Sequence, residues 1–591
     1  MIPPSDPRAE GVIRAAAPSS SRSERLATGL LLALLALLLV GVLTAERADW
    51  PSFVGDEATY LMAAESLAWD FDLLYDRGDY DRFVEHHGSL PEGLVLQSGN
   101  SGRSLTFSKP FFYPAFLAPF VRLAPVRGAF VANVLVLALA ALLAARTLRR
   151  WIGEWSALWV AVFVFSSVAF VYAFWAHADL FLMALTAISL SLAFSDPEGR
   201  PTRAGLAKWL LCGVLLATVA FSRPFYLPLL VPAAFCAPRP RRPRLAAYGA
   251  GVLLLVGVSL AIHQGLGDTW TSYDGERAAF YEETGFPEVD FPRSDWDGFI
   301  GRWGNFAWNR ATVSLSSSIS PRVWLWNGVY FALGRHVGVL VYFLPLVLGL
   351  LAGPKDHPRW ALAAAIVAAI AGAFFLRPFN FFGGGASIAN RFFLPVYPAF
   401  WLLAGGPVKR RWLVGVVLAS GVFIWPLWSA PGGYVVRPDG SYRYVSTPAR
   451  LLLPVETTQS LVQPGGADLA LDGDLWVRPL GPEIRSAGGD LHIDGGARGR
   501  LLLAAEEPLE EIDLVVKTEG ASVLATNATI VAESQDAEGR RYRLRLRRPR
   551  AVHPTWWSDA AVRIHRLTIS IDAADGRPVE LRLTRPRDRD R

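Results

Sequence analysis

Gly55-Asp56-Glu57-Ala58-Thr59-Tyr60 sets two adjacent carboxylates just beyond the first long apolar run of the chain, and it opens a polar stretch that closes on Ser108-Lys109-Pro110-Phe111-Phe112-Tyr113-Pro114. The run before it, roughly Leu26 to Ala45, holds no charged residue and meets the about 20 apolar residues that a bilayer span needs. Basic residues ahead of the run also fit a secretory signal, but its length and the spans that follow favour a retained anchor. The 591 residues are 52% hydrophobic and 12% aromatic, above the usual make-up of a soluble protein. Run and composition together predict a polytopic membrane protein. Acids at the edge of a span in such a protein face a water-filled cavity or one another.

Further apolar segments lie near Ala129 to Ala145, Leu158 to Trp175, Leu180 to Phe194, Leu206 to Phe221, Phe225 to Phe235, Leu245 to Ile262, Val337 to Leu351, Ala361 to Phe375, Phe392 to Leu403 and Leu413 to Trp428. With the first they predict about eleven spans in an all-α membrane domain over residues 25–430. Pro228 and Pro232 interrupt the sixth, which neighbouring helices can accommodate. Lys and Arg are retained on the cytoplasmic side during insertion. Arg146, Arg149 and Arg150, then Arg200, Arg203 and Lys208, then Arg239 to Arg244, Lys355 and Arg359, and Lys409 to Arg411 fall in alternate loops. These loops are therefore expected inside, together with the N-terminus. The tail 1–24, rich in Pro, Ser, Ala and Arg, is expected to be disordered. The loops 46–110 and 263–327, and everything beyond Trp428, are expected outside.

Past residue 430 the pattern changes. Leu501 to Ala504, Ile512 to Lys517, Val523 to Glu533, Arg541 to Arg547, Val562 to Ile571 and Val579 to Leu583 are short, several alternate apolar with polar side chains, and Gly, Pro and Asp punctuate them. That is the pattern of an extracytoplasmic all-β sandwich-like domain over residues 431–591. It reads either as a structural cap or as a sugar-binding module using Trp556 and Trp557.

The net charge of +6 comes largely from inside loops and the basic end, and it points to no nucleic-acid partner. Cys212 and Cys236 lie in or beside apolar spans, so neither a disulfide nor a thiolate metal cluster is expected. Asn527-Ala528-Thr529 is a glycosylation acceptor only in a glycosylating host, and the Ala, Arg and Leu bias looks bacterial. The acidic run Asp70, Asp72, Asp76, Asp79 and Asp81 does not read as a calcium loop, because Leu74 and Tyr75 occupy positions that need an oxygen ligand and a glycine. A solvated helix or loop, with Trp69, Phe71 and Leu73 resting on the membrane domain, fits better. Trp303, Trp308, Trp324 and Trp326 could stack on a sugar or lipid chain, or anchor the chain at the interface.

The predicted topology gathers polar residues near one membrane face. Asp56, Glu57 and Asp179 are candidate catalytic carboxylates, able to take the proton of an attacking hydroxyl. His177 stands beside Asp179. Lys109, Arg223, Arg335 and Arg391 are candidate phosphate contacts, and Gly383-Gly384-Gly385 before Arg391 allows close backbone approach. Each basic group has an ordinary alternative in snorkelling to lipid headgroups.

These motifs resemble the GT-C superfamily of membrane glycosyltransferases, which includes protein O-mannosyltransferases and lipid A aminoarabinose transferases. The likeness rests on Gly55-Asp56-Glu57-x-x-Tyr60, Lys109-Pro110-x-x-Tyr113-Pro114, Asp179 between the third and fourth spans, and the Gly-rich segment running into Arg391-Phe392-Phe393-Leu394-Pro395. It implies that Asp56 is the catalytic base or a metal-associated acid, that Lys109 contacts phosphate, and that Tyr60, Tyr113 and His177 line the substrate site. Phe111 stands where the related motif carries a second proline. The implied partners are a polyprenyl-phosphate-linked sugar donor, a cell-envelope glycan, lipid or protein acceptor, and membrane lipids. No cofactor is certain, and a divalent metal between Asp56 and Asp179 stays open.

The reading is an inner-membrane glycosyltransferase acting on the extracytoplasmic face; the alternative is a polytopic transporter or lipid-linked sugar flippase. A carrier keeps its site near the bilayer midplane, often between repeats, whereas here no repeat is visible and the charges collect at span ends.

Overall fold

The structure of the protein is a computed structural model, and it describes every residue except 1–20, 46–52, 55, 100–103, 196–201, 268, 273–276, 283–284, 296–320, 355, 379, 385–387, 408, 433–443, 455, 457–458, 460–469, 472–474, 480–483, 488–489, 494–497, 506–508, 519–520, 526–527, 547–562, 573–578, 585 and 587–591. Helix α1 (Arg22–Thr44) begins where the Ser21 hydroxyl accepts a hydrogen bond from Glu24 N. A side-chain oxygen there satisfies one of the free amides of the first turn. Arg22 to Glu24 are therefore helical, three residues that the tail was expected to hold. After it come β1 (Phe53–Val54), α2 (Asp56–Trp69), α3 (Arg77–His87), β2 (Pro91–Glu92), β3 (Leu94–Gly99) and β4 (Ser104–Phe107). Helices α4 (Phe112–Leu123), α5 (Gly128–Ile152), α6 (Ser156–Phe165), α7 (Ala178–Phe194), α8 (Arg203–Ser222), α9 (Leu230–Cys236) and α10 (Arg241–Gly267) follow.

Among the described residues, six helical runs are long and apolar enough to cross a membrane: Arg22–Thr44, Gly128–Phe165, Arg203–Ser222, Arg241–Leu266, His357–Leu376 and Arg410–Ser429. The chain is an integral membrane protein. The other expected spans are shorter or interrupted. Leu158 to Trp175 divides into α6 and a 3-10 segment, Val168–Phe174, opened by the Ser167 hydroxyl, which accepts from Ala169 N. Val337 to Leu351 divides into Val339–Tyr342 and Leu346–Ala352, with Pro345 between them, and of Phe392 to Leu403 only Tyr397–Leu402 is α-helical. These pieces are buried among other helices, where side chains and neighbours can satisfy the backbone that a break exposes.

The ends of the bundle are sorted by their contacts. Glu24 at the start of α1 pairs with Arg149 near the end of α5 at 2.7 Å, and Arg410 lies 4.0 Å from the Trp155 ring. Arg359 stacks over Trp151 at 4.2 Å. At the other end of α1, Arg127 donates to Ala45 O at 2.7 Å. Loops expected on one side thus meet on one side. Helices α8 and α10 cross where Gly213 faces the Tyr248 carbonyl and Gly251 faces the Leu210 carbonyl; an added Cβ at either would lie 2.1 Å from that oxygen. Such small-residue contacts are how membrane helices approach closely.

The all-α expectation for residues 25–430 is corrected in the loop segments. Strand β3 pairs antiparallel with β4 and with β5 (Arg277–Phe280), and β1 pairs in parallel with β2. In β4 the burial alternates, with Leu105 and Phe107 inward, the period of a half-buried strand. Because β5 comes from the 263–327 segment, this sheet ties the two loops together. In the acidic run, Asp76 caps α3 in a reciprocal box with Asp79, and Arg82 pairs with Asp70 at 2.6 Å. Phe71 does not rest on the helices: it is 85% exposed, at a positive φ of 62°.

Beyond the last long helix, described strands form a five-stranded sheet and a six-stranded sheet. Leu501, Leu503, Leu567 and Ile569 of the first share one buried cluster with Leu491, Ile512, Leu514, Leu544 and Leu581 of the second. Strands Ala470–Leu471, Leu475–Pro479, Ile484–Ala487 and Asp490–Ile493 fall within 431–591 ahead of the runs singled out in the sequence, and the helix Thr447–Leu452, opened by the Ser446 hydroxyl, corrects the all-β expectation for that region. Trp303, Trp308, Trp556 and Trp557 lie outside the described residues. Cys212 and Cys236 are not joined in a disulfide.

Candidate active site

Asp56 is the first residue of α2, where unsatisfied amides and the positive end of the helix favour a carboxylate. Its Oδ1 accepts from Lys109 Nζ. Its Oδ2 lies 2.9 Å from His177 Nε2 and 3.1 Å from Arg391 Nη1. Lys109 is fixed by the sheet that precedes it: Ser108 N donates to Val95 O at 3.0 Å and Lys109 N to Phe107 O at 2.9 Å. From β5, Arg277 donates to the Ser108 hydroxyl and, at 3.1 Å, to the Ser108 carbonyl.

His177 stands immediately before α7, and its Nδ1 is 2.7 Å from Asp179 Oδ2. Asp179 Oδ1 accepts from Arg223 Nη1. Arg391 has no acceptor atom. When it bonds His177 Nε2 the imidazole proton must sit on Nδ1, toward Asp179; when Nε2 donates to Asp56, Arg391 must turn to Asp56. Tyr60 meets His177 edge to face at 5.5 Å and Tyr113 at 5.4 Å. The Tyr113 hydroxyl donates to Asn133 Oδ1 at 3.0 Å, and Asn133 Nδ2 donates to Trp175 O at 2.9 Å, which holds the turn leading to His177.

Arg391 reaches the cluster past Gly383. At φ +106° this residue leaves room that a side chain would fill, since a Cβ there would stand 2.4 Å from Arg391 Cγ. The loop is gripped from the bundle: the Tyr172 hydroxyl donates to Ile388 O at 2.5 Å and the Tyr226 hydroxyl to Phe392 O at 2.7 Å. Arg223 lies over the Phe392 ring at 4.5 Å. Gly385, Ala386 and Ser387 lie outside the described residues.

The fold therefore brings together Asp56, Tyr60, Lys109, Tyr113, His177, Asp179, Arg223 and Arg391, which sequence reasoning had singled out. Glu57 turns elsewhere: its Oε1 accepts from Ala176 N at 3.0 Å and braces α2 against the His177 turn. Arg335 is set apart, donating through Nε and Nη2 to Leu453 O at 3.2 and 3.0 Å. Arg277, Asn133, Tyr172 and Tyr226 were missed. For Arg277 the available signal was its place in a loop expected on the same face as Lys109; the other three read as ordinary span residues.

Burial opposes ionisation of Asp56, but Lys109, Arg391 and His177 outweigh it and hold the carboxyl well below the usual carboxylate range. Burial also acts on Lys109, lowering it to about 8 against the pull of Asp56, with Arg277 and Arg391 adding to the drop. The cations Lys109, Arg223, Arg277 and Arg391 exceed the acids Asp56, Glu57 and Asp179, a surplus suited to an anion. A divalent ion between Asp56 and Asp179 does not fit these side chains. His177 lies between the carboxylates and each is already paired with a cation; among the described residues no group of three or more His, Cys, Asp or Glu is arranged to hold a metal. Two narrow clefts flank the cluster, one lined by Tyr60, Tyr113, Ser222 and Arg223, the other by Gln97, Lys109, His263 and Ser272.

Among solved structures the chain is similar to crystal structures of ArnT from Cupriavidus metallidurans. One is bound to undecaprenyl phosphate (16% identity, TM-score 0.35, covering 64% of this chain and 60% of that one). Another is in the apo state (16% identity, TM-score 0.34, covering 66% and 61%). The chain spans about three fifths of the length of those solved chains, and an overlay this loose transfers neither ligand nor residue role. No family model and no curated protein matches the chain.

Proposed function

We propose that the protein is a membrane glycosyltransferase that moves a sugar from a polyprenyl-phosphate donor to an acceptor on the extracytoplasmic face, the acceptor being an envelope glycan, lipid or protein. The observation that carries this reading is the contact of one partly exposed carboxylate, Asp56, with Lys109, His177 and Arg391 at once. These residues come from three loop segments far apart in the sequence. Such a site can receive a phosphate anion and a hydroxyl nucleophile side by side.

In the transfer, the acceptor oxygen bonds to the anomeric carbon and its proton passes to Asp56. The bond from that carbon to the phosphate oxygen breaks, and its electron pair leaves with polyprenyl phosphate. Lys109 and Arg391, with Arg277 beside them, offset the charge that grows on the phosphate. A carboxyl held at low pKa is a weak base. The donor removes that obstacle, because its phosphate competes for Lys109 and Arg391 and so raises the affinity of Asp56 for a proton. Asp179, anchored by Arg223, orients the His177 ring through its contact with Nδ1. The β-rich region 431–591 is taken as an extracytoplasmic module, with the N-terminus cytoplasmic.

D56N keeps the size of the side chain and removes its charge. Transfer of radiolabelled sugar from an undecaprenyl-phosphate donor in proteoliposomes should fall by on the order of 10²–10⁴ while the folded protein persists. Undiminished transfer by D56N would overturn the mechanism, and uptake of the sugar without transfer by the unaltered protein would favour a carrier.

A further inference from the structure

The segment after the last long helix is stitched to the loop that presents Arg391. Tyr444 is 1% exposed; its hydroxyl donates to His336 O at 3.0 Å and accepts from Ala389 N at 3.3 Å. Ala389 holds a positive φ of 55° two residues before Arg391, a conformation that a non-glycine residue keeps only where neighbours enforce it. Tyr172 fixes the adjoining Ile388 carbonyl from the bundle, so the backbone at 388–389 is held by two hydroxyls, one from the bundle and one from the segment after the last long helix. The anchor beneath Tyr444 is equally enclosed. Fully buried Glu456 accepts from His336 N at 2.6 Å, from Val337 N at 3.0 Å and lies 2.7 Å from His336 Nδ1. Fully buried Gln459 donates to Pro378 O at 3.0 Å and to Asn327 Oδ1 at 2.8 Å. Buried polar groups tied at this density resist displacement, because each broken contact leaves an unsatisfied group.

We propose that Tyr444 is a positioning residue for Arg391: through Ala389 it sets how far the guanidinium reaches toward Asp56 and His177, and the buried Glu456 and Gln459 anchor the segment that carries Tyr444. The kinetic arm of the proposal rests on the glycosyl-transfer reading; the structural arm does not. Y444F retains the ring, which packs on Tyr342 at 5.7 Å, and removes only the bridging hydroxyl.

Two measurements on the full chain test it. Hydrogen exchange of the unliganded protein should show faster exchange over 388–391 in Y444F, with the transmembrane helices unchanged. Transfer from an undecaprenyl-phosphate-linked sugar should lose about tenfold in kcat/KM, the worth of one buried hydrogen bond, and Y444F should cause no further loss in an R391K background, since both changes act through one guanidinium. A purely structural role for Tyr444 predicts losses that multiply. Multiplying losses, or unaltered protection over 388–391, overturns the proposal. If the unaltered protein transfers no sugar, the functional reading fails and the exchange result alone decides whether Tyr444 holds the loop.

Discussion

An isolated ion pair pulls its members apart in pKa, the acid down and the base up. Asp56 and Lys109 both move down. Burial drives the lysine's share, and Arg277 and Arg391 add to it, so Lys109 is one of several cations competing for few acids. The pH dependence of the free protein follows. Lys109 must carry its proton to hold a phosphate, and it loses that proton as pH rises through about 8, so kcat/KM for the donor should fall on the alkaline side of pH 8. Bound phosphate restores the proton, so the same limb in kcat should lie at higher pH. K109R, which stays charged throughout, should abolish the limb; its persistence at pH 8 in K109R would show that another group titrates. Asp56, Lys109 and Arg391 were legible in the sequence because a charge flanking an apolar run has few places to go except a cavity or a lipid headgroup. Arg277 was not, since its meaning depends on the strand pairing Gln97 with Arg277, which no local pattern announces. Asn133 and Tyr172 sit within apolar segments and acquire a role only from the carbonyls opposite them. Glu57, adjacent to Asp56, illustrates the reverse error: one step along a helix turns a side chain by roughly 100°, enough to send it to Ala176 N.

Elements that carry the site are short, and their brevity is what kept them from being read. Long apolar helices such as Arg22–Thr44 and Arg410–Ser429 followed from hydropathy alone, whereas the pieces Val168–Phe174, Val339–Tyr342 and Tyr397–Leu402 are apolar without being continuous helix. The break after Val168–Phe174 lets the chain turn at Trp175 to His177, so a straight span there would lose the histidine. The sheet β3-β4-β5 does similar work for Lys109. Gly383 lies directly against the Arg391 side chain. G383A should strain the backbone by about 1–3 kcal/mol and push the guanidinium away, lowering transfer far more than it lowers thermal stability; equal stability with equal activity would show that Arg391 reaches Asp56 by another path. At the α8–α10 crossing the balance is opposite. G213L meets the Tyr248 backbone and should cost about 1–3 kcal/mol of stability from overpacking, seen as a lower Tm in detergent, with the site residues unaffected in the protein that remains folded.

Charged and apolar features are separated along the bundle. Glu24, Arg149, Glu154 and Arg410 gather at one end, as expected if the Lys- and Arg-bearing loops share the cytoplasmic face, and this sorting was visible from loop composition before any fold was known. Between α1, α6 and the helix Arg410–Ser429 runs an apolar groove of about 500 Å³ lined by residues that include Leu34, Leu38, Val162, Phe170, Phe174 and Trp428. It could not be read from the sequence, because its walls come from three separated spans whose exposed faces look alike. Phe174 belongs both to the groove and to the turn leading into His177 through Trp175, whose ring stands 5.0 Å from the imidazole. Under the proposed reaction, an apolar groove of this kind is the candidate seat for the donor's prenyl chain. V162W places an indole in that volume without touching the charged cluster. It should raise KM for a long-chain undecaprenyl donor about tenfold, roughly the affinity that 1.4 kcal/mol of apolar contact supplies, while leaving kcat and the KM for a donor with a short, water-soluble prenyl chain near their original values. Equal losses with both donors would place the fault in folding or in the cluster, and unchanged kinetics with both would assign the groove to bulk bilayer lipid.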